Sequence, residues 1–478
     1  MSPKLFRLNT DFNNLSIALI FTCLFFTACK KETKQTSGAE AQAMGTARFE
    51  NNGNGWGTVS PDMVLRWNDA AFYLMLNTPQ PPPVTPFWSS RYTAMVHIAM
   101  HDALNSIVPK YKTYGLNTRD KDSSPDAAVA QAAYDVIVNS YNTLNPPIET
   151  PQFIKDHMNE LLQQSLSAIT DVDAKAKGVA LGHAAAQAVI QKRTNDGTQN
   201  ITYTLPEGTL PGQYRWTPPF NIPGLPVYGL VDAVGWQNVT PFALTSASQF
   251  RPGPPYGKTD TRESIKTPQY IADYNEIKSL GCDNCGARTA DQTQFAKFWV
   301  ESPNYGWNKI ARLIIARKNM DAWKVARLLA LVQIAENDSY ISSADAKFYY
   351  WFWRPITAIN SNNMGATPGT IGDANWNVLV FPTPPAADYP SAHANAGGAG
   401  AEVIRQFFNQ DNFSFSFAST SADPLHPIRS FTSLSQAARE NSLSRMYVGY
   451  HFRESCLVGE QVGKNIGAYI ATHCLQEN

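Results

Sequence analysis

Residues 347–355 read KFYYWFWRP, with Lys347 and Arg354 at the two ends of an unbroken aromatic run from Phe348 to Trp353, and Pro355 after the arginine. A surface charge pair needs no such apolar company, and a core helix does not choose lysine and arginine. The two cations are seven positions apart, about two turns of a continuous helix, so both can face one cavity. The rings are then expected to pack that helix and exclude water, which strengthens any attraction between the cations and an anion.

The rest of the chain bounds what such a site can be. Its 478 residues exceed an ordinary domain, so two packed helical subdomains or one large domain are both open. Hydrophobic residues make up 43%, enough for a large core, and the formal net charge is zero. Nothing therefore points to nucleic acid or an acidic membrane surface as partner, and any basic site has to be local.

The N-terminus carries Lys4 and Arg7, then a short apolar run from Ile17 to Phe26, then FTAC ending at Cys29. The run is too short to span a bilayer comfortably and reads as a cleaved export signal. FTAC resembles a bacterial lipoprotein box with Phe where Leu is usual. Residues 1–29 are thus expected to be a signal peptide with a lipobox, giving a periplasmic or outer-membrane protein anchored through a lipidated Cys29. A plain signal peptide with an incidental cysteine is the alternative. Residues 30–60 are polar and rich in Gly and Asn, a tether. In an oxidising compartment Cys282 and Cys285, in GCDNCG, read as a local structural bridge.

Beyond the tether the apolar spacing is helical. SSRYTAMVHIAMHDALNSI, PDAAVAQAAYDVIVNSYNTL and the alanine-rich segment from Asp171 predict closely packed helices in residues 61–245. A proline-rich, aperiodic stretch runs from about 198 to 262. Helices resume from Thr289, within a second region spanning 246–478. Strand signals are sparse, so the predicted class is mainly α, in bundles with long irregular loops.

Three clusters in the last third carry chemistry: Lys347 with Arg354, YPSAH with Ser391 and His393, and SRMYVGYH with Arg445 and His451. Each alone reads as a surface pair, a helix cap or a buried polar pair. Together they supply two guanidiniums, an ammonium, a hydroxyl and the N–H groups of a helix start, including that of Ala392. That set suits a multiply charged tetrahedral oxyanion. Two histidines add a group that can bond the central atom and a group that can move protons.

The order Lys-x6-Arg-Pro, Pro-Ser-x-His, Ser-Arg-x5-His resembles the superfamily shared by type 2 phosphatidic acid phosphatases and vanadium-dependent haloperoxidases. The likeness extends through AMVHIAMHDALNSI, GWQNVTPFAL, ARTADQTQFAKFW and AARENSLSRMYVGYHFR, and is similar to the bacterial haloperoxidase-type branch. It implies vanadate as cofactor with hydrogen peroxide and a halide as substrates, or else a phosphomonoester. Lys347, Arg354, Ser391, Ala392 and Arg445 would hold the anion's oxygens. His451 would be the axial vanadium ligand or the phosphorylated nucleophile, and His393 the acid/base.

Three departures from the pattern matter. Ala392 stands where the motif usually has Gly. Ser455 stands where many phosphatases carry an Asp that orients the nucleophilic histidine, which weighs against the phosphatase. Ala344 and Ala386 replace a Trp and a Phe of fungal chloroperoxidases, which alters the halide pocket and favours bromide or iodide. The expected function is thus an exported vanadate-dependent haloperoxidase. The alternatives are a soluble acid phosphatase using a phosphohistidine, or a non-catalytic oxyanion-binding lipoprotein. Asp345 is expected to pair with a cation of the site. His97 and His101, one turn apart, are read as core or surface residues rather than metal ligands, and His426 is left without a role.

Overall fold

The computed structural model describes residues 59–77, 86–140 and 149–478. The export signal, the lipobox at Cys29 and the tether as far as residue 58 lie outside the described residues. The first region contains α1 (Asp62–Asn77), α2 (Pro86–Ile107), α3 (Pro125–Asn139), α4 (Gln152–Ser167) and α5 (Val172–Arg193). After the proline-rich stretch come α6 (Thr261–Ser264), α7 (Pro268–Leu280), α8 (Ala290–Phe298), α9 (Pro303–Ile315) and α10 (Ala322–Tyr350). The chain ends with α11 (Pro355–Asn360), α12 (Ala392–Phe408), α13 (Leu434–Tyr447) and α14 (Arg453–His473). Two antiparallel pairs complete it: β1 (Thr202–Thr204) with β2 (Leu230–Val234), and β3 (Phe415–Ala418) with β4 (Ile428–Phe431). The mainly helical class expected from the periodicity is the observed one.

Helix starts follow local chemistry. Ser124 accepts from Ala127 N at the head of α3, ahead of Pro125 and Asp126. Thr289 and Gln292 close a reciprocal capping box on α8. The alanines of α3 and α5 do bring these helices close: a Cβ added at Gly182 would stand 2.4 Å from the Ala128 carbonyl oxygen.

Helix α10 is the central strut. Capped by Asp321, which accepts from Lys324 N, it is buried on nearly every side and packs on α2 at one flank and α12 at another. A helix covered all round needs no amphipathic stripe, so its apolar pattern shows little periodicity. One contiguous core runs along it and reaches from Val59 to Leu475.

The expectation of one continuous helix from Lys347 to Arg354 is overturned. Helix α10 ends at Tyr350, Trp351 caps it in the left-handed conformation (φ 51°), and Arg354 is the residue that opens α11, with Pro355 at its first position. Proline's fixed φ favours a helix start and keeps the preceding residue extended, so the chain turns here. The aromatic run also divides. Phe352 and Trp353 are fully buried, in a cluster with Tyr270 and Phe452 behind the site, whereas Tyr349 is 63% exposed. Each fully buried ring is worth roughly 2–3 kcal/mol of apolar burial.

A glycine seam sets the last two motifs against each other. Gly459, Gly463 and Gly467 recur every fourth residue along α14 and lie on the backbone of α12 at Ser391, Asn395 and Ala399. A Cβ at Gly463 would be 2.0 Å from the Asn395 carbonyl oxygen, so only glycine permits this approach. The seam places the start of α14, just past His451, beside the start of α12, where Ser391 and His393 stand. Cys282 and Cys285 are joined in a local disulfide, as expected.

Candidate active site

Four helix ends and the loops beside them build the site. Lys347 lies in the last turn of α10, and its ammonium donates to the carbonyls of Ala387 and Asp388. Arg354 donates from Nε to Ala386 O at 2.6 Å and from Nη1 to Tyr450 O at 2.8 Å. Arg445, in the last turn of α13, donates to Trp299 O at 3.0 Å, and its guanidinium lies 4.8 Å from the Tyr450 ring centre. All three cations are buried.

Ser391 is the N-cap of α12, as its position before AHANAGGAGA suggested. Its Oγ accepts from Ala394 N at 3.3 Å, which leaves the hydroxyl hydrogen for another acceptor. The N–H groups of Ala392 and His393 are in the first turn, where a helix offers them no acceptor. The His393 side chain is half-buried, and its Nε2 has no hydrogen-bond partner among the described residues. His451 Nε2 lies 2.9 Å from Arg354 Nη1, a donor, so the ring proton belongs on Nδ1.

The charges bear on one another. Burial first, then Arg354, Lys347 and Arg445, hold His451 well below the usual imidazole range. Burial and then Arg445 lower His393 likewise. Both imidazoles are therefore neutral near pH 7, with lone pairs to offer. Burial and then Arg354 also lower the Lys347 ammonium, and burial brings Arg445 down to about 10. Lys347, Arg354, Ser391, Ala392, His393, Arg445 and His451 are thus brought to one place.

A carboxylate missed in the sequence completes the group. Asp388 Oδ1 is 3.0 Å from His451 Nδ1, and its Oδ2 accepts from Ser455 Oγ. The 3.0 Å approach is within ion-pair range, yet neither Asp388 Oδ1 nor His451 Nδ1 makes an aligned hydrogen bond. Burial pushes the Asp388 carboxyl up to about 7, against Arg354, the Ser455 hydroxyl and Lys347. The expectation that His451 lacks a carboxylate is therefore overturned. The acid comes from three residues before Ser391, and Ser455 orients that acid.

The remaining expectations divide. Asp345 does not pair with the site's cations; Arg251 takes it, at 2.5 and 2.7 Å. Its side chain leaves α10 on a different side from Lys347, two positions on. His97 and His101 are fully buried core residues, His97 held by Thr93 O and Asn68. His426 is exposed in the β3–β4 loop. Ala344 and Ala386 are buried, and Ala386 O is the carbonyl that Arg354 holds.

The donor set fits vanadate. Buried cations converge from three elements, while Arg445 Nε stays buried without a partner among the described residues. Excess buried donors of this kind call for an anion rich in oxygen.

Comparison with known proteins agrees. Residues 58–238 match the vanadium chloroperoxidase N-terminal domain, and residues 327–477 match the VCPO second helical-bundle domain. Vanadium chloroperoxidase of Curvularia inaequalis is 25% identical over 499 residues, covering 82% of this chain and 78% of that protein. A bacterial vanadium-dependent iodoperoxidase superposes with a TM-score of 0.70 at 23% identity, covering 88% of this chain and 98% of the other. An apo-type bacterial vanadium-dependent chloroperoxidase gives 0.60 at 16% identity, covering 88% and 97%. With both of its helical domains matched and the residues of the three sequence motifs gathered at one site, the chain belongs to the vanadium haloperoxidase superfamily.

Proposed function

We propose that this chain is an exported vanadate-dependent haloperoxidase that uses hydrogen peroxide to oxidise bromide or iodide. One observation carries the reading: Lys347, Arg354 and Arg445, all buried, bear on the His451 imidazole, and Arg354 Nη1 stands 2.9 Å from its Nε2. Bound vanadate would supply a Lewis acid at which peroxide is activated. Lys347, Arg354 and Arg445 would neutralise its oxygens, helped by the Ser391 hydroxyl and the Ala392 N–H. His451 would hold the vanadium through its Nε2 lone pair while Asp388 steadies Nδ1. His393, neutral at working pH, would accept a proton from incoming peroxide.

The larger halides are supported by Ala344 and Ala386, which leave room where fungal chloroperoxidases carry aromatic rings. A structural neighbour described as an iodoperoxidase is consistent with this. Export rests on Lys4, Arg7, the apolar run and Cys29. Vanadate titration of the purified apoprotein is the test: bromide or iodide oxidation should rise to saturation, and no gain rejects the reading. Fractionation tests export, since a Cys29→Ala variant should leave the membrane fraction.

Asp388 also favours a second reading. A carboxylate on His451 is what a phosphohistidine mechanism requires, so phosphomonoester hydrolysis in the same pocket has support. Turnover of p-nitrophenyl phosphate that vanadate abolishes, with no halide oxidation, would make it the function.

A further inference from the structure

One turn after His393, helix α12 carries Gly397, and the missing side chain leaves a notch. A Cβ there would stand 2.1 Å from Asn441 Nδ2 and 2.9 Å from Trp307 Nε1. Asn441 fills the notch from α13, one turn before Arg445, and is fully buried. Its Nδ2 donates to the His393 carbonyl at 3.4 Å, a long bond that nonetheless directs the amide's nitrogen end. The other end, Oδ1, has no partner among the described residues, and neither has His393 Nε2. A buried amide oxygen without a donor is costly.

Two candidate donors around this notch also lack partners. One is the single N–H of the neutral His393 imidazole, and the other is Trp307 Nε1, which also has no partner. The carboxamide bears on the imidazole, favouring its protonated form against the opposing Arg445 charge. The site's other charges act elsewhere. Lys347 and Arg354, from α10 and the head of α11, bear on His451. Glu336 of α10 meets α12 at Gly400, and Glu460 of α14 meets it at Gly398 through backbone.

We propose that Asn441 is a positioning residue for His393: its Oδ1 accepts the imidazole N–H, fixing one tautomer so that the other ring nitrogen presents its lone pair to the reactants. Gly397 is what admits the amide. The catalytic consequence rests on the haloperoxidase reading, whereas the tautomer is a property of the protein itself.

The experiment uses full-length apoprotein labelled with 15N-histidine, the His393 signals assigned by their loss in His393→Ala. Wild type should show a single neutral tautomer for His393. Asn441→Leu should show a mixture, as should Gly397→Ala, which evicts the amide without altering it. On vanadate loading, Asn441→Leu should bind vanadate within about twofold of wild type while kcat/KM for peroxide falls about tenfold, part of what a positioned acid/base contributes. A mixture in wild type overturns the proposal and needs no variant to fold. So does an unchanged tautomer in Asn441→Leu, which would give the amide oxygen to Trp307, or a parallel fall in vanadate affinity, which would mark a structural role. If wild type shows no halide oxidation, the function fails and the tautomer result still decides the role of Asn441.

Discussion

Replacing Arg354 by Lys and, separately, by Met divides charge from geometry at the centre of the site. The guanidinium donates to Ala386 O, Tyr450 O and toward His451 Nε2, at 2.6, 2.8 and 2.9 Å, in a buried space. Lysine keeps the charge but has one nitrogen on a shorter reach, so at least one of these acceptors is stranded, at about 1–3 kcal/mol. Loss of the planar fork should weaken vanadate binding about 10- to 100-fold, the equivalent of about 1.4–2.8 kcal/mol. Methionine removes the charge as well. At an effective dielectric of about 20, a unit charge about 6 Å away contributes roughly 3 kcal/mol, so affinity should fall about a further hundredfold. Equilibrium dialysis of vanadate gives the affinities, and urea curves on the apoproteins separate binding from folding. Arg354→Lys binding within threefold of wild type would mean that the fork does not face the anion. Equal affinities for the two variants would mean that its charge is not felt.

The remaining predictions concern acid stability, halide choice and packing. Burial lowers His97 from 6.5 to about 4. A depressed imidazole contributes stability that is present above 6.5 and lost as pH falls toward 4, at up to about 1.4 kcal/mol per pH unit. Over that window the wild type should lose about 3 kcal/mol more than His97→Gln by urea midpoints, and parallel pH profiles would refute the assignment. Ala386→Phe should lower the ratio of iodide to chloride turnover about tenfold, and an unchanged ratio would remove this position from the halide pocket. Gly463→Ala forces a methyl against the Asn395 carbonyl and should cost about 1–3 kcal/mol or more in calorimetry. Gly286→Ala, with nothing within 4 Å, is the control and should be close to neutral.

Much of the fold was legible because helix signals are local. Ser124-Pro125-Asp126 and Thr289 with Gln292 mark helix starts by chemistry that acts within one turn. The site was legible to the same depth. Ser391 as an N-cap and His393 two positions on are fixed by the geometry of one helix start. Arg354 was misread, because seven-residue spacing suggests one helix unless Pro355 is given its weight as a helix opener.

By itself, then, the sequence determined which groups are available: three cations, a hydroxyl and two imidazoles, with only Ser391 and His393 held together by one helix start. Tertiary structure alone decided their partners. Asp388 rather than a residue near His451 faces the imidazole, Arg251 takes Asp345, and Asn441 enters the notch at Gly397. The reason is physical. Spacing along a helix fixes neighbours three and four residues apart, whereas the partners in these pairs come from elements far apart in sequence that only tertiary packing brings within hydrogen-bonding distance.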